Sequence, residues 1–564
     1  MYIKVVKSPT SKFSKVYLTE GYRDENGKVK QRNIKCYGNL EELQEKDPNI
    51  LEKLRAEAKS MGLNQTSVLI NFNQENSEKG SDLNYGYFFL DAIYAKLSIS
   101  SFLKKIKNKA RCEYDLGEIV KLLVYSRIME PASKQATFER RTTFFKPFEV
   151  DLNSIYRSLS VLSEIKDDLQ YFLHQEVSRH YQRDCSVVFY DVTNYYFEID
   201  EEDDLKKKGV SKENKKSPIV QMGLFIDSSG LPISYKLFPG NTSDTLTLIP
   251  ILGEMKKRYG LKKVILTADK GLNSGKNLAY LVNKGDGYIV SQKLRGSSRK
   301  FIDQVLDEEG YRYNTKGTFK IKSFLRGREV KDQDGKIQTI EEKVICFWSK
   351  DYDEREKHKR EDLEEKISSF LDNPSKYNAS NSFGVKKYLK MKHVNQETGE
   401  IEKVKPHLEF NQEKYARDKE MDGYYVLVSS EVDLEDTAII EKYRGLWKIE
   451  ETFKVMKSDL EGRPVYVRRN DRVEGHFFIC YLALLLSRIL EFELDHKFSV
   501  KKIQTSLKQT TCRLIKKGIY SLNTQDEVFR ALEEKFKVSL NYDFVRIEQL
   551  RQYKKKIEKV YNKK

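Results

Sequence analysis

The sequence predicts a mixed α/β fold, and three patterns along the chain support this class. Between residues 185 and 291, short apolar strand patterns and helical patterns follow one another in the order β-β-β-α-β-α-β, as in a mixed sheet covered by helices. Residues 15–34 are typical of a β-hairpin around Asn26-Gly27, and residues 83–180 show helical periodicity. Regular alternation is lost from about 294 to 420, so we expect an insertion in the sheet domain there.

The expected elements of the sheet region follow from local patterns. The sequence predicts strands at 185–190, 219–226, 231–238, 263–268 and 287–291, and helices at 245–259 (with Asp244 as N-cap) and 274–284. Within the insertion it predicts strands at 311–325 and 343–348 and a charged helix at 351–371. After the insertion it predicts a strand at 424–430 and a long helical region from about Leu434.

These patterns divide the chain into six regions. They are an N-terminal β unit (1–72), a helical domain (83–180), the first part of the sheet core (181–293), the β-rich insertion (294–420), the second part of the core (421–490) and a helical C-terminal region (491–564). The polar stretch 73–82 is typical of a linker.

Composition limits the class of function. The 564 residues include 102 Lys and Arg against 85 Asp and Glu, and this net charge of +17 suggests a polyanionic partner such as DNA. Hydrophobic residues at 39% and charged residues at 33% argue against a membrane-embedded protein. The longest apolar run, Phe477 to Leu486, is too short to cross a bilayer and predicts a buried helix.

The cysteines and the N-terminus indicate a compartment. The 6 cysteines form no Cys-x-x-Cys pair, and the 7 histidines are scattered, which argues against a disulfide framework or a zinc cluster. Residues 1–15 contain no apolar run that could serve as a signal-peptide core. We therefore expect a cytoplasmic protein, associated with the nucleoid if its partner is chromosomal DNA.

Two aspartates follow buried strand patterns. Asp191 comes directly after strand 185–190, and Asp269 after strand 263–268. If the strands are neighbours, the two carboxylates raise each other's pKa, and a divalent cation removes that conflict. Oxygen ligands without His or Cys favour Mg²⁺ or Mn²⁺, and two such ions about 4 Å apart can promote phosphodiester cleavage. For either aspartate alone, a turn-forming role is the alternative.

The segment from Tyr443 to Lys457, YRGLWKIEETFKVMK, resembles a motif of the Asp-Asp-Glu cut-and-paste transposases of bacterial insertion sequences. One branch of that family has the pattern Tyr-x2-Arg-x3-Glu-x6-Lys. Tyr443, Glu450 and Lys457 match it, whereas Leu446 stands at the arginine position. The resemblance continues in FYDVTNYYF around Asp191, FPGNTSD (238–244), LTADKGL around Asp269 and RPVYVR (463–468).

The resemblance implies a ribonuclease H-like catalytic core that is interrupted by the insertion. It implies that Asp191, Asp269 and Glu450 are catalytic and bind Mg²⁺ or Mn²⁺, as two ions, and that Tyr443 and Lys457 hold the phosphate backbone near the cleaved strand. In a continuous helix, both of these side chains would lie about 20° from Glu450. An ordinary amphipathic surface helix is the alternative.

Four other side chains near these motifs could contact DNA or support the site. Lys212 stands in the Lys-rich loop 206–216, which either follows a phosphate backbone or is simply solvated. Lys293 follows the strand after the second aspartate, where the family tends to have a cation. Trp348 in the insertion either stacks on a flipped base, as in related transposases, or packs in a strand. Trp447, about 60° from Glu450 on the helix, is expected to pack beneath the site.

Leu446 cannot make the charge-assisted contact of the family's arginine. Lys454 is one turn after Glu450 and about 40° from it, whereas Arg444 and Lys448 are about 120° and 160° away. We therefore expect Lys454 to take over the arginine's role.

The resemblance implies a DNA transposase that binds terminal inverted repeats, cleaves the element ends and joins them to target DNA. Its partners would be double-stranded DNA and a second copy of the chain in the DNA complex, with end recognition in residues 1–180. Two alternatives stay open. One is a ribonuclease H-like nuclease or resolvase without strand transfer, and the other is an inactive DNA-binding descendant, against which the presence of all three acids counts.

Overall fold

The N-terminal unit, residues 1–79, contains a three-stranded antiparallel sheet. In the computed structural model the described residues are 1–7, 12–23, 29–64, 81–110, 113–212, 216–377, 382, 384–392, 407–516, 518–523 and 525–562. The unit contains β1 (Tyr2–Lys7), β2 (Ser14–Arg23), β3 (Val29–Asn39), α1 (Leu40–Lys46) and α2 (Ile50–Asn64). The predicted hairpin is confirmed as β2–β3, whereas β1 was not predicted. The Asn26-Gly27 turn and most of the 73–82 linker lie outside the described residues.

The second unit, residues 80–564, begins with the predicted helical region. It contains β4 (Leu83–Asn84), α3 (Tyr87–Lys96), α4 (Ile99–Ala110), α5 (Leu116–Met129), α6 (Lys134–Glu139) and α7 (Leu152–Tyr181). The Asp151 side chain accepts a hydrogen bond from the Ser154 backbone at 2.9 Å and so caps α7. Helices α5 and α7 pack against the apolar helix of the catalytic region, described below.

The predicted order β-β-β-α-β-α-β is confirmed. The elements are β5 (Val187–Tyr196), β6 (Ile219–Ile226), β7 (Pro232–Pro239), α8 (Leu248–Tyr259), β8 (Ile265–Ala268), α9 (Gly275–Asn283) and β9 (Gly287–Ser291). β5, β6 and β7 are antiparallel neighbours, whereas β5, β8 and β9 run parallel. Alternate side chains of β5 enter two different hydrophobic clusters, so both faces of the sheet are covered.

The insertion extends the central sheet, a pairing that the sequence did not predict. It contains α10 (Arg299–Leu306), β10 (Arg312–Tyr313), β11 (Phe319–Lys331), β12 (Ile337–Ser349), α11 (Lys350–Asp372), β13 (Leu389–Lys392), β14 (His407–Phe410) and α12 (Gln412–Glu420), and is followed by β15 (Tyr424–Ser429). β15 pairs with β9, which gives one nine-stranded sheet in the order β10-β11-β12-β15-β9-β8-β5-β6-β7. The outer edge of β9 is thereby covered.

The predicted helical region after β15 is confirmed, but it is divided into several helices. It consists of α13 (Asp436–Arg444), α14 (Trp447–Lys454), a π-helical turn (Val455–Asp459) and, after a loop, α15 (Asn470–Glu493). Within the described residues α15 is the one helix long and apolar enough to cross a membrane. Its most apolar window is 94% buried inside the protein, as predicted for a core helix.

The C-terminal region is not purely helical, which corrects the prediction. It contains α16 (Val500–Gln509), β16 (Thr511–Lys516), β17 (Ile519–Leu522), α17 (Glu527–Lys535), β18 (Phe544–Arg546) and α18 (Ile547–Asn562). Its strands form a sheet with β4 in the order β18-β17-β16-β4, and α18 packs against α3. Pairing with β4, more than 400 residues earlier, is a long-range contact that no local pattern reveals.

Candidate active site

Asp191 and Asp269 stand at the same level on neighbouring parallel strands. β5 and β8 pair from Val187–Ile265 to Phe189–Thr267, and two further steps in this register set Asp191 opposite Asp269. Asp269 directly follows β8, as predicted. Asp191, in contrast, lies inside β5, because the ladder to β6 continues as far as Tyr196. The ladder to β8 has already ended at Phe189, two residues before Asp191.

The environment of Asp191 disfavours its ionised carboxylate unless a cation is bound beside it. Burial raises the pKa of Asp191 to about 6, and the carboxylates of Asp244 and Asp269 act in the same direction. Lys212 opposes this rise, and its ammonium donates to the backbone oxygen of Val192. A half-buried carboxylate with two acidic neighbours is an arrangement that a divalent cation stabilises.

Asp244 is an acidic neighbour that the sequence analysis treated only as a helix cap. It begins a short 3₁₀ turn, Asp244–Leu246, and does not cap α8. The preceding loop is fixed at Gly240, where a Cβ would lie 2.2 Å from the Ile219 backbone oxygen. Gln221 also donates to the backbone oxygen of Thr242 at 2.6 Å. The signal that could have found this acid was its place at the end of FPGNTSD.

Glu450 lies on the helix that covers β5. At one end a Cβ on Gly445 would lie 2.4 Å from Phe189 Cζ, and at the other end Lys457 Nζ lies 5.6 Å from the ring centroid of Tyr195. Phe189 to Tyr195 spans about 20 Å of strand, and residues 445–457 span about 18 Å of helix. Asp191 lies on the same face of β5, about one third of the way from Phe189 to Tyr195. One third of the way along the helical segment 445–457 is about residue 449. The exposed Glu450 is therefore close to this level.

The two predicted phosphate-holding residues each interact electrostatically with one of the two aspartates. Burial raises the pKa of Tyr443, and the charge of Asp269 adds to the rise. Burial and the charge of Lys212 lower the pKa of Lys457 to about 8, and Asp191 opposes this change. The structure thus brings Tyr443 to Asp269 and Lys457 to Asp191.

The angles expected for a continuous helix do not apply between Tyr443 and Lys457. The backbone N–H of Leu446 bonds to the Tyr443 oxygen and that of Ile449 to the Leu446 oxygen, which are 3₁₀-type bonds that tighten the junction. The π-helical turn then widens the segment that carries Lys457. Because of this junction Leu446 is buried and Trp447 is 57% exposed, so the expectation that Trp447 packs beneath the site is wrong.

The remaining predicted DNA contacts are spread over several elements. Lys454 is exposed one turn after Glu450, and its charge acts on Asp459. Lys293 is exposed and lines a pocket of about 340 Å³, which Ser291 also lines. Ser291 connects this pocket to the carboxylates because its Oγ donates to Asp269 Oδ1 at 3.0 Å.

Trp348 is a half-buried residue of β12. A Cβ on Gly423 would lie 2.3 Å from Trp348 Nε1, so the indole is packed directly against this glycine. Its strand neighbours are Lys320 and Tyr424. Gly423 and Tyr424 line the same pocket as Lys293, so the indole stands behind the pocket wall.

The aspartate pair fits a divalent cation, whereas the third ligand is not gathered with it. Among the described residues, no three His, Cys, Asp or Glu side chains stand close enough together to hold a metal ion. The available donors, Asp191, Asp269, Asp244 and Glu450, are all carboxylates, which Mg²⁺ and Mn²⁺ prefer. The buried charge conflict at Asp191 fits such an ion as well.

Comparison with known proteins identifies the class. A family model described as "Transposase DDE domain" matches residues 187–486, and one described as "IS1634 family transposase, N-terminal domain" matches residues 3–68. The chain belongs to the DDE transposases of bacterial insertion sequences. It is a DNA transposase, an enzyme of metal-dependent DNA cleavage and strand transfer.

One solved structure shows a distant likeness. It is the "Cryo-EM structure of piggyBac transposase synaptic complex with hairpin DNA", with a TM-score of 0.33 and 10% sequence identity, over 80% of this chain and 86% of that chain. This likeness is too distant to transfer residue roles. No curated protein matches the chain.

Proposed function

We propose that the chain binds the terminal inverted repeats of its element, cleaves the ends and joins them to target DNA at a site formed by Asp191, Asp269 and Glu450. The alignment of Asp191 with Asp269, beneath the helix that carries Glu450, is the observation that carries this proposal. Two Mg²⁺ or Mn²⁺ ions, when bound, would activate the attacking oxygen and stabilise the leaving oxygen.

The strand order supports a ribonuclease H-like core. The segment β7-β6-β5-β8-β9 combines three antiparallel strands with two strands parallel to β5, and Asp191 stands on the central one. The insertion follows β9 and returns through β15 before the helix with Glu450. In this proposal the insertion builds one wall of the site.

Tyr443 and Lys457 are proposed to hold phosphate oxygens near the carboxylates. Lys457 has a direct electrostatic role, since a phosphate beside its partly buried ammonium would favour the protonated form. Lys212 is proposed to contact the same backbone, because it already faces Asp191 from the loop after β5. Lys293 and Trp348 belong to the insertion side, and we propose that they contact DNA around the 340 Å³ pocket.

End recognition is proposed for the regions 1–72 and 83–180. Joining two element ends to one target requires two active sites, so we propose that two copies of the chain act together on double-stranded DNA. The proposal places this complex on chromosomal DNA in the cytoplasm.

The experiment compares single neutral substitutions in the full chain on a duplex that carries one element end. Asp191→Asn, Asp269→Asn and Glu450→Gln are each expected to reduce cleavage by about a thousandfold or more, because ligands of one site act as a unit. End binding, measured with EDTA present, should stay within about twofold of wild type, because the carboxylates act on chemistry. Glu441→Gln, an exposed acid on α13, is the matched control and should cleave normally.

Two results would overturn the proposal. Full cleavage by any of the three variants would remove that residue from the site. Cleaved ends that never join to a target duplex, with wild-type protein and matched ends, would favour a nuclease or resolvase instead.

A further inference from the structure

A second cationic site lies apart from the carboxylates, in a cavity of about 170 Å³. It opens between the helical region and the loop after the π-helical turn. Its lining includes Arg127 on α5, Lys134 on α6, His476 on α15, and Arg463 and Tyr466 of the loop. The catalytic proposal above uses none of these residues.

Lys134 is the central group of this cavity. The residue is only 5% exposed, and its Nζ lies 3.3 Å from Nδ1 of His476. Burial holds the pKa of His476 well below its usual range, so the imidazole is neutral and Nδ1 accepts a hydrogen bond from the ammonium. An ammonium has three donors. Among the described residues the hydrogen bond to His476 is the only one that Lys134 makes, which leaves two donors for a ligand.

Arg127 adds a fixed positive charge next to Lys134. Its guanidinium donates to the backbone oxygens of Leu460, Glu461 and Ala132 at 3.1–3.3 Å. These bonds anchor the loop that follows Lys457, and they hold the arginine in place.

The charges around Lys134 are not balanced by an acid. Burial and the charge of Arg127 lower the pKa of Lys134 to about 7, and only the Cys480 thiol acts in the opposite direction. The one acid in the cavity lining is Glu461, whose side chain is exposed and does not act on Lys134. A buried cation without an anionic partner is costly, and a bound anion removes that cost.

The size of the cavity suits a phosphate group. A water molecule occupies about 30 Å³ of liquid, so the cavity has the volume of about six waters. Tyr466, one of the lining residues, is 67% exposed. Gly462, which stands between the lining residues Glu461 and Arg463, approaches Tyr195 of β5, and Lys457 approaches the same ring.

We infer that this cavity binds a phosphodiester group of the DNA on which the transposase acts, with Lys134 and Arg463 as donors and Arg127 as a fixed background charge. His476 is a positioning residue that holds the ammonium of Lys134. The inference rests on the proposed function only for DNA as the ligand, and it requires neither metal binding nor cleavage.

The test measures binding of the full chain to a fluorescent end duplex by anisotropy, in EDTA, over a range of salt concentrations. Lys134→Met keeps an unbranched side chain of similar length and removes its charge. It should weaken binding about tenfold and lower the slope of log affinity against log salt by about one unit. Lys555→Met removes an exposed lysine of α18, outside the cavity and outside the proposed end-recognition regions, and is the matched control, with an expected change of less than about twofold. If Lys134→Met binds like wild type, or if both variants weaken binding equally, the inference is wrong.

Replacing single phosphates of the duplex by neutral methylphosphonate linkages locates the phosphate that Lys134 contacts. One linkage in the duplex should weaken binding by wild type about tenfold and leave binding by Lys134→Met unchanged, because the partner charge is already gone. The inference fails if every linkage weakens binding by both proteins equally. If Lys134→Met does not fold, Arg463→Met carries the same two measurements.

Adding inorganic phosphate distinguishes a free phosphate ion from a DNA phosphodiester group as the ligand of the cavity. If phosphate raises the melting temperature of wild type but not of Lys134→Met, while DNA binding of the two proteins is equal, the cavity holds a free anion and the DNA inference is overturned. Failure of the catalytic proposal would look different. In that case Asp191→Asn would still cleave, and the effect of Lys134→Met on binding would be unaffected.

Discussion

The hydroxyl oxygens of Tyr425 and Tyr443 lie 2.8 Å apart and share a hydrogen bond that joins β15 to α13. The next strand, β9, contributes Ser291, whose Oγ donates to Asp269. The strand that returns from the insertion therefore helps to fix the start of the Glu450 segment relative to the second aspartate. This relationship gives the insertion a structural role in the site in addition to any contact with DNA.

Tyr425→Phe tests this link. It removes the hydroxyl of residue 425 that bonds to Tyr443. A lost hydrogen bond of about 1 kcal/mol corresponds to about a fivefold decrease in single-turnover cleavage. Tyr443→Phe should cost more, because it also removes the proposed phosphate contact. Equal losses in the two variants would mean that Tyr443 acts only through Tyr425.

Gly445→Ala tests the contact between the helix and β5. The added Cβ would lie 2.4 Å from Cζ of the buried Phe189, so the segment with Glu450 must move away from Asp191. We expect a loss of about 1–3 kcal/mol in stability, as for other overpacked cores, together with at least a tenfold loss of cleavage. Phe189→Leu should restore part of both quantities in the double variant. If the second substitution only adds to the damage, the two residues do not act through this contact.

Lys454→Ala tests the replacement of the missing arginine at Leu446. We expect cleavage to fall at least tenfold, which corresponds to about 1.4 kcal/mol. Lys448→Ala is the control, because the Lys448 ammonium donates to the Ser228 backbone oxygen at 2.6 Å and is not directed to the carboxylates. Similar cleavage rates for the two variants would show that Lys454 does not take that role.

The buried Lys134 predicts a particular pH dependence of stability. Its pKa is about 7 in the folded chain and 10.5 as its ordinary value, so between these values the unfolded state binds more protons. Stability should therefore rise with pH above 7 by up to about 1.4 kcal/mol per pH unit, relative to Lys134→Met. Arg127, His476 and Cys480 interact with Lys134, and Arg463 and Glu461 are the other charged residues that line the cavity. Thermal unfolding of both proteins at several pH values measures the difference, and a constant difference would contradict the assignment.

The sheet region could be predicted from sequence because its signals are local. Short apolar strands and the direct succession of β8 and Asp269 are visible in the residues themselves. The position of Asp191 inside β5 was not visible, because it depends on where β6 and β8 stop pairing with that strand. The fourth acid, Asp244, was missed as a site residue for a similar reason. Its approach to Asp191 is set by the contacts of Gly240 and Gln221 across the sheet.

The helical periodicity of the sequence could not predict the break between α13 and α14. The helical pattern continues through Gly445, whereas the tight approach of Gly445 to Phe189 is a tertiary contact. That junction decides that Leu446 is buried and Trp447 exposed, the reverse of what helical angles alone predicted for the tryptophan. The cavity around Lys134 was missed as well, because α5, α6, α15 and the 460s loop converge there from distant parts of the chain.

The central claim is that Asp191, Asp269 and Glu450 hold the same metal ions. Iron(II) can be bound in place of Mg²⁺ in the full chain with its end duplex, and hydroxyl radicals generated there cut the nearby polypeptide backbone. Mapping the cuts should give fragments that end near residues 191, 269 and 450, and these fragments should disappear in Asp191→Asn. Cuts near 191, 269 and 244 without any near 450 would contradict the account, because Asp244 would then be the third ligand in place of Glu450.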